Sequence, residues 1–305
     1  MGLLSKYVPN DRFLDNGPFR FTQPASLNDA DDARPEILFD EYAPEDLKVA
    51  LEAASHSGMH LIDKHDLEAL FLAPFPAGRY DEKSFSSLWP AEEPRLREAP
   101  FKAISEFDRA VAERAVELVV EQANRGVLVF SLTMAIASEP MWAYYGNNHQ
   151  GIEVRFRGDH PFFADRLHQI TYSDEPVRVS SNSGWVRLCG QTVSTEQILN
   201  GTLPTLPLEL MLRKRRGWQH EQEVRLLRGP KEATTVSGRD PIGNAIFLFE
   251  VPPEAVDSIV LGYWASNDFA QAVLNKVGHS SRWSGVEVRH RVRTSAAGVY
   301  EERVR

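Results

Sequence analysis

The chain has a single cysteine, Cys189, among its 305 residues. One thiol excludes an intramolecular disulfide framework and a zinc site built on clustered cysteines; it fits a reducing compartment, where its expected role is to fill core. Long hydrophobic runs are missing as well. No stretch approaches the ~20 apolar residues of a membrane span. The N-terminal MGLLSKYVPN lacks the apolar centre of a signal peptide, and Lys6 stands where a myristoylation signal requires Ser or Thr. A cytoplasmic protein without membrane contact is expected. Positive charge is in deficit, with 34 Lys and Arg against 43 Asp and Glu and a net charge of -9. That balance argues against bulk nucleic-acid binding, although a local basic patch fits inside an acidic protein. Glycine-rich phosphate loops are absent too: GWQHEQE and GYWASND match neither the Walker nor the dinucleotide fingerprint, which excludes phosphoryl transfer on those scaffolds.

What is present is an ordinary globular composition, 42% hydrophobic, with enough apolar material for a sizeable core. LLSKYV and PFRFTQP read as short strands flanking a helical turn that Asn10 opens and Gly17 closes, and Asn28-Asp29 suits an Asx turn. From about residue 36 to 125 the texture becomes helix and loop: APEDLKVALEAA has proline near a helix start, and FDRAVAERAVELVVEQANRG places Phe107, Val111, Ala115 and Leu118 on one stripe with Gly126 as the stop. VLVFSLT, GIEVRF, QITYS, EVRLLR, AIFLFEV, SIVLGY and VEVRHRV read as strands, interrupted by helices at SEPMWAYY, PLELMLRKRRG and SNDFAQAVLNKVG. Runs of strands with occasional helices predict one α+β domain with a mixed or antiparallel sheet and a helical insertion at 36–125.

Chemistry concentrates in GWQHEQEVRLLRG, residues 217–229. Read as a strand throughout, it sets Glu221, Glu223 and Arg225 in one row, with Gln222, Val224 and Leu226 on the other side. A charged strand face in water accounts for such a row; so does a cleft in which an arginine or a ligand relieves the repulsion between two carboxylates. His220 then points away from both glutamates and has no second histidine at zinc spacing, so no metal site is expected. In MWAYYGNNHQG, Trp142 is expected in the core, while Tyr145 or His149 reaches a cleft. Arg213, Lys214, Arg215 and Arg216 suit a solvated helix end better than a phosphate site.

Four segments, LLSKYVPNDRFLDNGPFRFTQPASLND, VLVFSLTMAIASEPMWAYYGNNHQGIEVRF, KRRGWQHEQEVRLL and VDSIVLGYW, occur in the order and character of the DUF2971 family of bacterial proteins, which the chain resembles outside the 36–125 block. The layout is similar to the ADP-ribosyltransferase fold, a split sheet whose first strand carries His or Arg, whose second carries an aromatic or Ser-Thr element, and whose later strand carries Glu-x-Glu. That likeness implies NAD as substrate, cleaved with release of nicotinamide so that its ADP-ribose passes to an unknown acceptor or to water, in a toxin or phage-defence setting. It maps the first element onto Lys6-Tyr7, in place of His or Arg, the second onto Phe21-Thr22, and the third onto Glu221-Gln222-Glu223. Glu223 would stabilise the oxocarbenium-like cation and Glu221 would orient or deprotonate the nucleophile, while Arg225 keeps both ionised. Tyr7, Phe21, Trp142 or Tyr145 would stack on nicotinamide, and Thr22 and His149 would bond its amide or the ribose. The alternative expectation is a non-catalytic module of a defence system that binds a nucleotide or a protein partner, its two glutamates held in salt bridges to Arg225 and to arginines of RKRRG.

Overall fold

The computed structural model describes residues 2–27, 37–41, 106–163, 166–182, 185–189, 191–296 and 298–305. The Asn28-Asp29 turn and the helix expected in APEDLKVALEAA lie outside them. The chain forms two compact units: Met1–Ala30, Asn124–Asp174 and Leu212–Arg305 make the larger, and Asp31–Ala123 with Glu175–Met211 the smaller.

The smaller unit holds β3 (Ile37–Glu41), most of α2 (Glu106–Gly126), β8 (Val177–Asn182), β9 (Trp185–Leu188), β10 (Gln191–Ser194) and α4 (Thr195–Leu199). Its sheet runs β10-β9-β8-β3. The 36–125 block therefore contributes a strand, β3, which pairs in parallel with β8, as well as helix. In α2 the expected stripe holds, with Val111, Ala115 and Leu118 buried. The start of α4 is fixed by a capping box, Ser194 and Gln197 each satisfying the other's backbone amide.

The larger unit is built on an eight-stranded sheet in the order β17-β16-β15-β5-β1-β4-β12-β6. These strands are β1 (Leu3–Val8), β4 (Leu128–Thr133), β5 (Ile152–Arg157), β6 (Leu167–Gln169), β12 (Glu223–Arg228), β15 (Val256–Leu261), β16 (Glu287–Thr294) and β17 (Gly298–Arg303). Neighbours are antiparallel except β15 and β16, which are parallel and joined through α5 (Asn267–His279), a helix capped by the Ser266 hydroxyl. The α+β class and the mixed, largely antiparallel sheet match the expectation.

Strand alternation sorts this sheet into two faces. Leu4, Phe130, Leu132, Ile152, Val154, Phe156, Val224 and Leu226 face a core shared with Val273 and Val277 of α5, Trp283, and the rings of Phe19, Phe21 and Phe249. The opposite face is polar: in register across it lie Arg155, Ser5, Thr133 and Glu223. The sheet divides at β4. That strand meets β1 only at Ser5 and Thr133. Near its other end, Val129 exchanges two 2.8 Å backbone hydrogen bonds with Thr22. Thr22 follows β2 (Pro18–Phe21), which belongs to a small sheet with β14 (Ala245–Glu250) and β13 (Thr235–Arg239).

Across the polar face lies α3 (Glu139–Tyr144) with the turn after it, anchored by the buried Trp142, whose ring packs edge-on against Tyr7 at 5.2 Å. The turn docks on the end of β15, where the amide of Trp264 donates to the His149 carbonyl at 3.0 Å. Gly262 makes this approach possible: a Cβ there would lie 2.0 Å from the His149 oxygen and 2.9 Å from the Trp142 ring. Gly262→Ala is expected to lower stability by about 3 kcal/mol or more, because backbone must move. Gly285→Ala, where a Cβ meets no atom within 4 Å, should change it by less than about 0.5 kcal/mol. Urea unfolding of both variants checks the contrast.

Candidate functional site

The carboxylate row forms by a route other than a continuous strand. Residues Arg216–Glu221 make a 3-10 turn, Gln222 is left-handed (φ 44°), and β12 begins at Glu223. β4 ends at Thr133, directly opposite Glu223, so the residues before Glu223 have no strand to pair with. Side chains take over from the ladder: the Thr133 hydroxyl donates to the Glu221 carbonyl, and the Glu223 amide donates to the Tyr172 hydroxyl at 2.7 Å. The helix expected over PLELMLRKRRG is likewise replaced. Leu208–Leu212 is one 3-10 turn, and β11 (Arg213–Lys214) pairs in parallel with β7 (Thr171–Tyr172). Lys214 is thereby carried into the site instead of ending a helix in solvent.

The Lys214 ammonium lies 2.6 Å from Glu221 Oε2 and 3.2 Å from Glu223 Oε2. Arg225 holds Glu223 from the other side, with Nε 2.8 Å from Oε1 and Nη2 3.3 Å from Oε2. Tyr145 donates its hydroxyl to Glu221 Oε1 at 2.7 Å. All four charged groups are buried, Glu221 at 3%, Glu223 at 5%, Lys214 at 6% and Arg225 at 0% exposure. Burial pushes the Glu223 carboxyl up, but the charge and hydrogen bonds of Arg225, then Lys214 and the Ser131 hydroxyl, outweigh it and hold the group at about 2. At neutral pH Glu223 is therefore ionised between the Lys214 and Arg225 side chains.

Lys6 joins from β1. Its ammonium enters the gap where β1 and β4 diverge, donating to the Ser131 carbonyl at 2.9 Å and lying 4.8 Å from the Phe130 ring centre. Burial lowers it to about 8, against the opposing pull of Glu223. Tyr7, its neighbour on the strand, points to the other face and serves a second cluster. Its hydroxyl donates to Glu153 at 3.0 Å and accepts from the Ser138 amide at 3.1 Å. Burial and the Glu153 charge raise its pKa. Glu153 in turn receives Ser5 at 2.7 Å and Arg155 at 2.9 Å.

Of the expected site residues, Glu221, Glu223, Arg225 and Tyr145 thus meet, with Lys6 beside them. Phe21 does not meet them: it lies inside the core, stacked on Phe130 at 4.7 Å, because its position on β2 faces inward. Thr22 pairs with Val129, four residues along β4 from Thr133, or about 13 Å at the rise of a strand. His149 leaves the cleft as well. Its side chain is stacked on Tyr263 at 4.4 Å and parallel to Trp142 at 6.1 Å.

Sequence reasoning missed Lys214, Tyr172 and Ser131, which carry no periodic signal. It also passed over Glu153 and Arg155, whose alternation inside GIEVRF repeats that of Glu223 and Arg225. Among the described residues no group of three or more His, Cys, Asp or Glu is placed to hold a metal ion, and no helix is long and apolar enough to cross a membrane. Compared with protein-family models, curated proteins and solved structures, the chain shows no match.

Three outcomes are expected. Lys214→Met leaves two buried carboxylates on one arginine and should cost about 3–5 kcal/mol. Glu223 contributes stability above its ordinary 4.5, lost as pH falls towards 2; without Lys214 its folded pKa rises, so this contribution shrinks and the acid-unfolding midpoint should shift to higher pH. Lys6 binds its proton more weakly in the folded chain (about 8) than at its ordinary 10.5. The unfolded chain therefore holds more proton between those values, and stability should rise with pH across that window. Lys6→Met should abolish this rise in unfolding experiments run from pH 8 to 10.5.

Proposed function

We propose that the chain is a nucleotide-binding module in which Glu221 and Glu223 organise the site and do not cleave the ligand. The observation that carries this reading is the charge balance of the buried cluster. Stabilising an oxocarbenium-like cation requires uncompensated negative potential, whereas Lys214 and Arg225 stand 2.6–3.2 Å from the two carboxylates. The accessible chemistry lies just outside. Lys214 sits over the Trp218 ring at 5.0 Å, and Trp218 meets the exposed rings of Tyr144 and His220 at 6.2 and 6.1 Å. Tyr144 is 65% exposed, and the exposed Arg215 and Arg216 flank the same turn. Aromatic faces stack on a base, and arginines meet phosphates. The resemblance of the end segments to DUF2971 proteins, and of the layout to the ADP-ribosyltransferase fold, is consistent with a nucleotide of the ADP-ribose type.

The transferase reading keeps one observation in its favour: a Glu-x-Glu pair does come together, and Glu223 stays ionised at neutral pH beside Glu221. Titration of tryptophan fluorescence with ADP-ribose and with NAD, alongside assay of nicotinamide, separates the two. Binding without nicotinamide release is expected, weakened roughly 5- to 100-fold in Trp218→Ala through the lost stacking. Nicotinamide release that Glu223→Gln abolishes would establish the enzyme instead. Absence of binding by either ligand would sink the nucleotide reading.

A further inference from the structure

On the opposite flank of α3, three polar atoms with no hydrogen-bond partner belong to neighbouring side chains: Trp142 Nε1, His149 Nδ1 and Arg291 Nη1. These residues are 0%, 8% and 3% exposed. The Arg291 guanidinium lies 5.2 Å from the centre of the Trp142 ring and 5.6 Å from that of Tyr263, which itself stacks on His149. Arg293 approaches the Tyr263 ring at 5.8 Å. Leaving a buried donor unsatisfied is costly, more so for a charged one. Trp142 Nε1 and Arg291 Nη1 are obligate donors and ask for an acceptor, and His149 Nδ1 lies beside them.

The same place stores backbone strain. Asn147, Asn148 and His149 are consecutive non-glycine residues with φ of 50°, 49° and 63°. Asparagine and histidine enter this region more readily than other non-glycine residues, but three in succession store strain. The turn persists because the Gly262–Trp264 backbone grips the His149 carbonyl, and its effect is to set the imidazole between two aromatic rings.

One acidic group already reaches this place. Glu139, in the first turn of α3 and 55% exposed on its side chain, makes a short ion pair with Arg291 Nη2 and stands 3.8 Å from His149 Nδ1. It satisfies one nitrogen of Arg291 and leaves the others. An exposed carboxylate on a buried arginine is the chain's own occupant of an anion site, and solvent lies open to it if it is displaced.

We propose that Trp142, His149 and Arg291, backed by Tyr263 and Arg293, form a second ligand site for a small oxyanion, with Glu139 as its intramolecular competitor. Arg291 supplies charge and a planar fork, Trp142 an N–H donor, and the rings the apolar wall that strengthens both. This site is independent of the Trp218 surface, so it stands or falls without the nucleotide reading.

The test uses inorganic phosphate and acetate as separate probes at constant ionic strength, read by calorimetry and by the His149 imidazole and arginine side-chain NMR signals. Saturable binding of at least one probe is expected, with those signals perturbed. Phosphate binding without acetate binding assigns a phosphoryl ligand, and the reverse a carboxylate. Glu139→Gln, an exposed change that keeps the fold, should tighten binding roughly fivefold by removing the competitor. Trp218→Ala should leave binding unchanged. Arg291→Lys should weaken it tenfold or more; if that variant does not fold, Glu139→Gln decides. Binding by neither probe, or binding that Glu139→Gln fails to tighten, overturns the proposal.

Discussion

The sheet of the larger unit buries charge on one of its faces, and the rest of that unit is arranged around compensating it. Moving an ion pair out of water costs several kcal/mol per ion unless geometry and hydrogen bonds offset it. The chain meets this demand with one device used three times. Glu153-Val154-Arg155 on β5, Glu223-Val224-Arg225 on β12 and Glu287-Val288-Arg289 on β16 each turn a valine into the core. On the other face each sets a glutamate beside the arginine two residues on, at 2.9, 2.8 and 3.1 Å. A two-residue spacing suffices because alternate side chains of a strand share a face. The first two pairs are buried and draw in further partners, while the third is half-exposed.

What those further partners are distinguishes the two buried pairs. Around Glu153 most are local to the sheet, Ser5 and Tyr7 of β1 and Glu301 of β17, which bonds Arg155, and one, the Ala137 amide, comes from the loop after β4. Around Glu223, Ser131 of β4 is joined by groups from less regular chain, Lys214 from the short β11 and Glu221 from a 3-10 turn. Regular structure gives way where β4 runs out, and side-chain groups there satisfy the backbone that a strand would have satisfied. The Glu223 cluster therefore lies beside solvent-facing turns that bear Tyr144, Trp218 and His220, whereas the Glu153 cluster stays sealed under Trp142.

The segment from Glu139 to Gly151 links these places. Within one short helix and its turn, Tyr145 reaches Glu221, Trp142 closes over Tyr7, and His149 stacks with Tyr263. Its left-handed residues are held by backbone contacts to β15, so strain at the turn is offset by packing at the strand end.

Much of this was legible in the order of residues, because it depends on spacing alone. The period-two alternation in EVRLLR, GIEVRF and VEVRHRV determines that valines go to one face and charges to the other, and Ser266, Gly17 and the α2 stripe mark their helices through local hydrogen bonding and periodicity. The pairing of Glu223 with Arg225 follows from the same alternation. The tertiary structure alone decided that Glu221 approaches from a turn, that Lys214 leaves a presumed helix to bridge both glutamates, that Phe21 enters the core and that His149 is caught between rings. Each of these depends on where a neighbouring strand ends or which backbone closes against it, and such long-range contacts override the local preferences that a sequence displays.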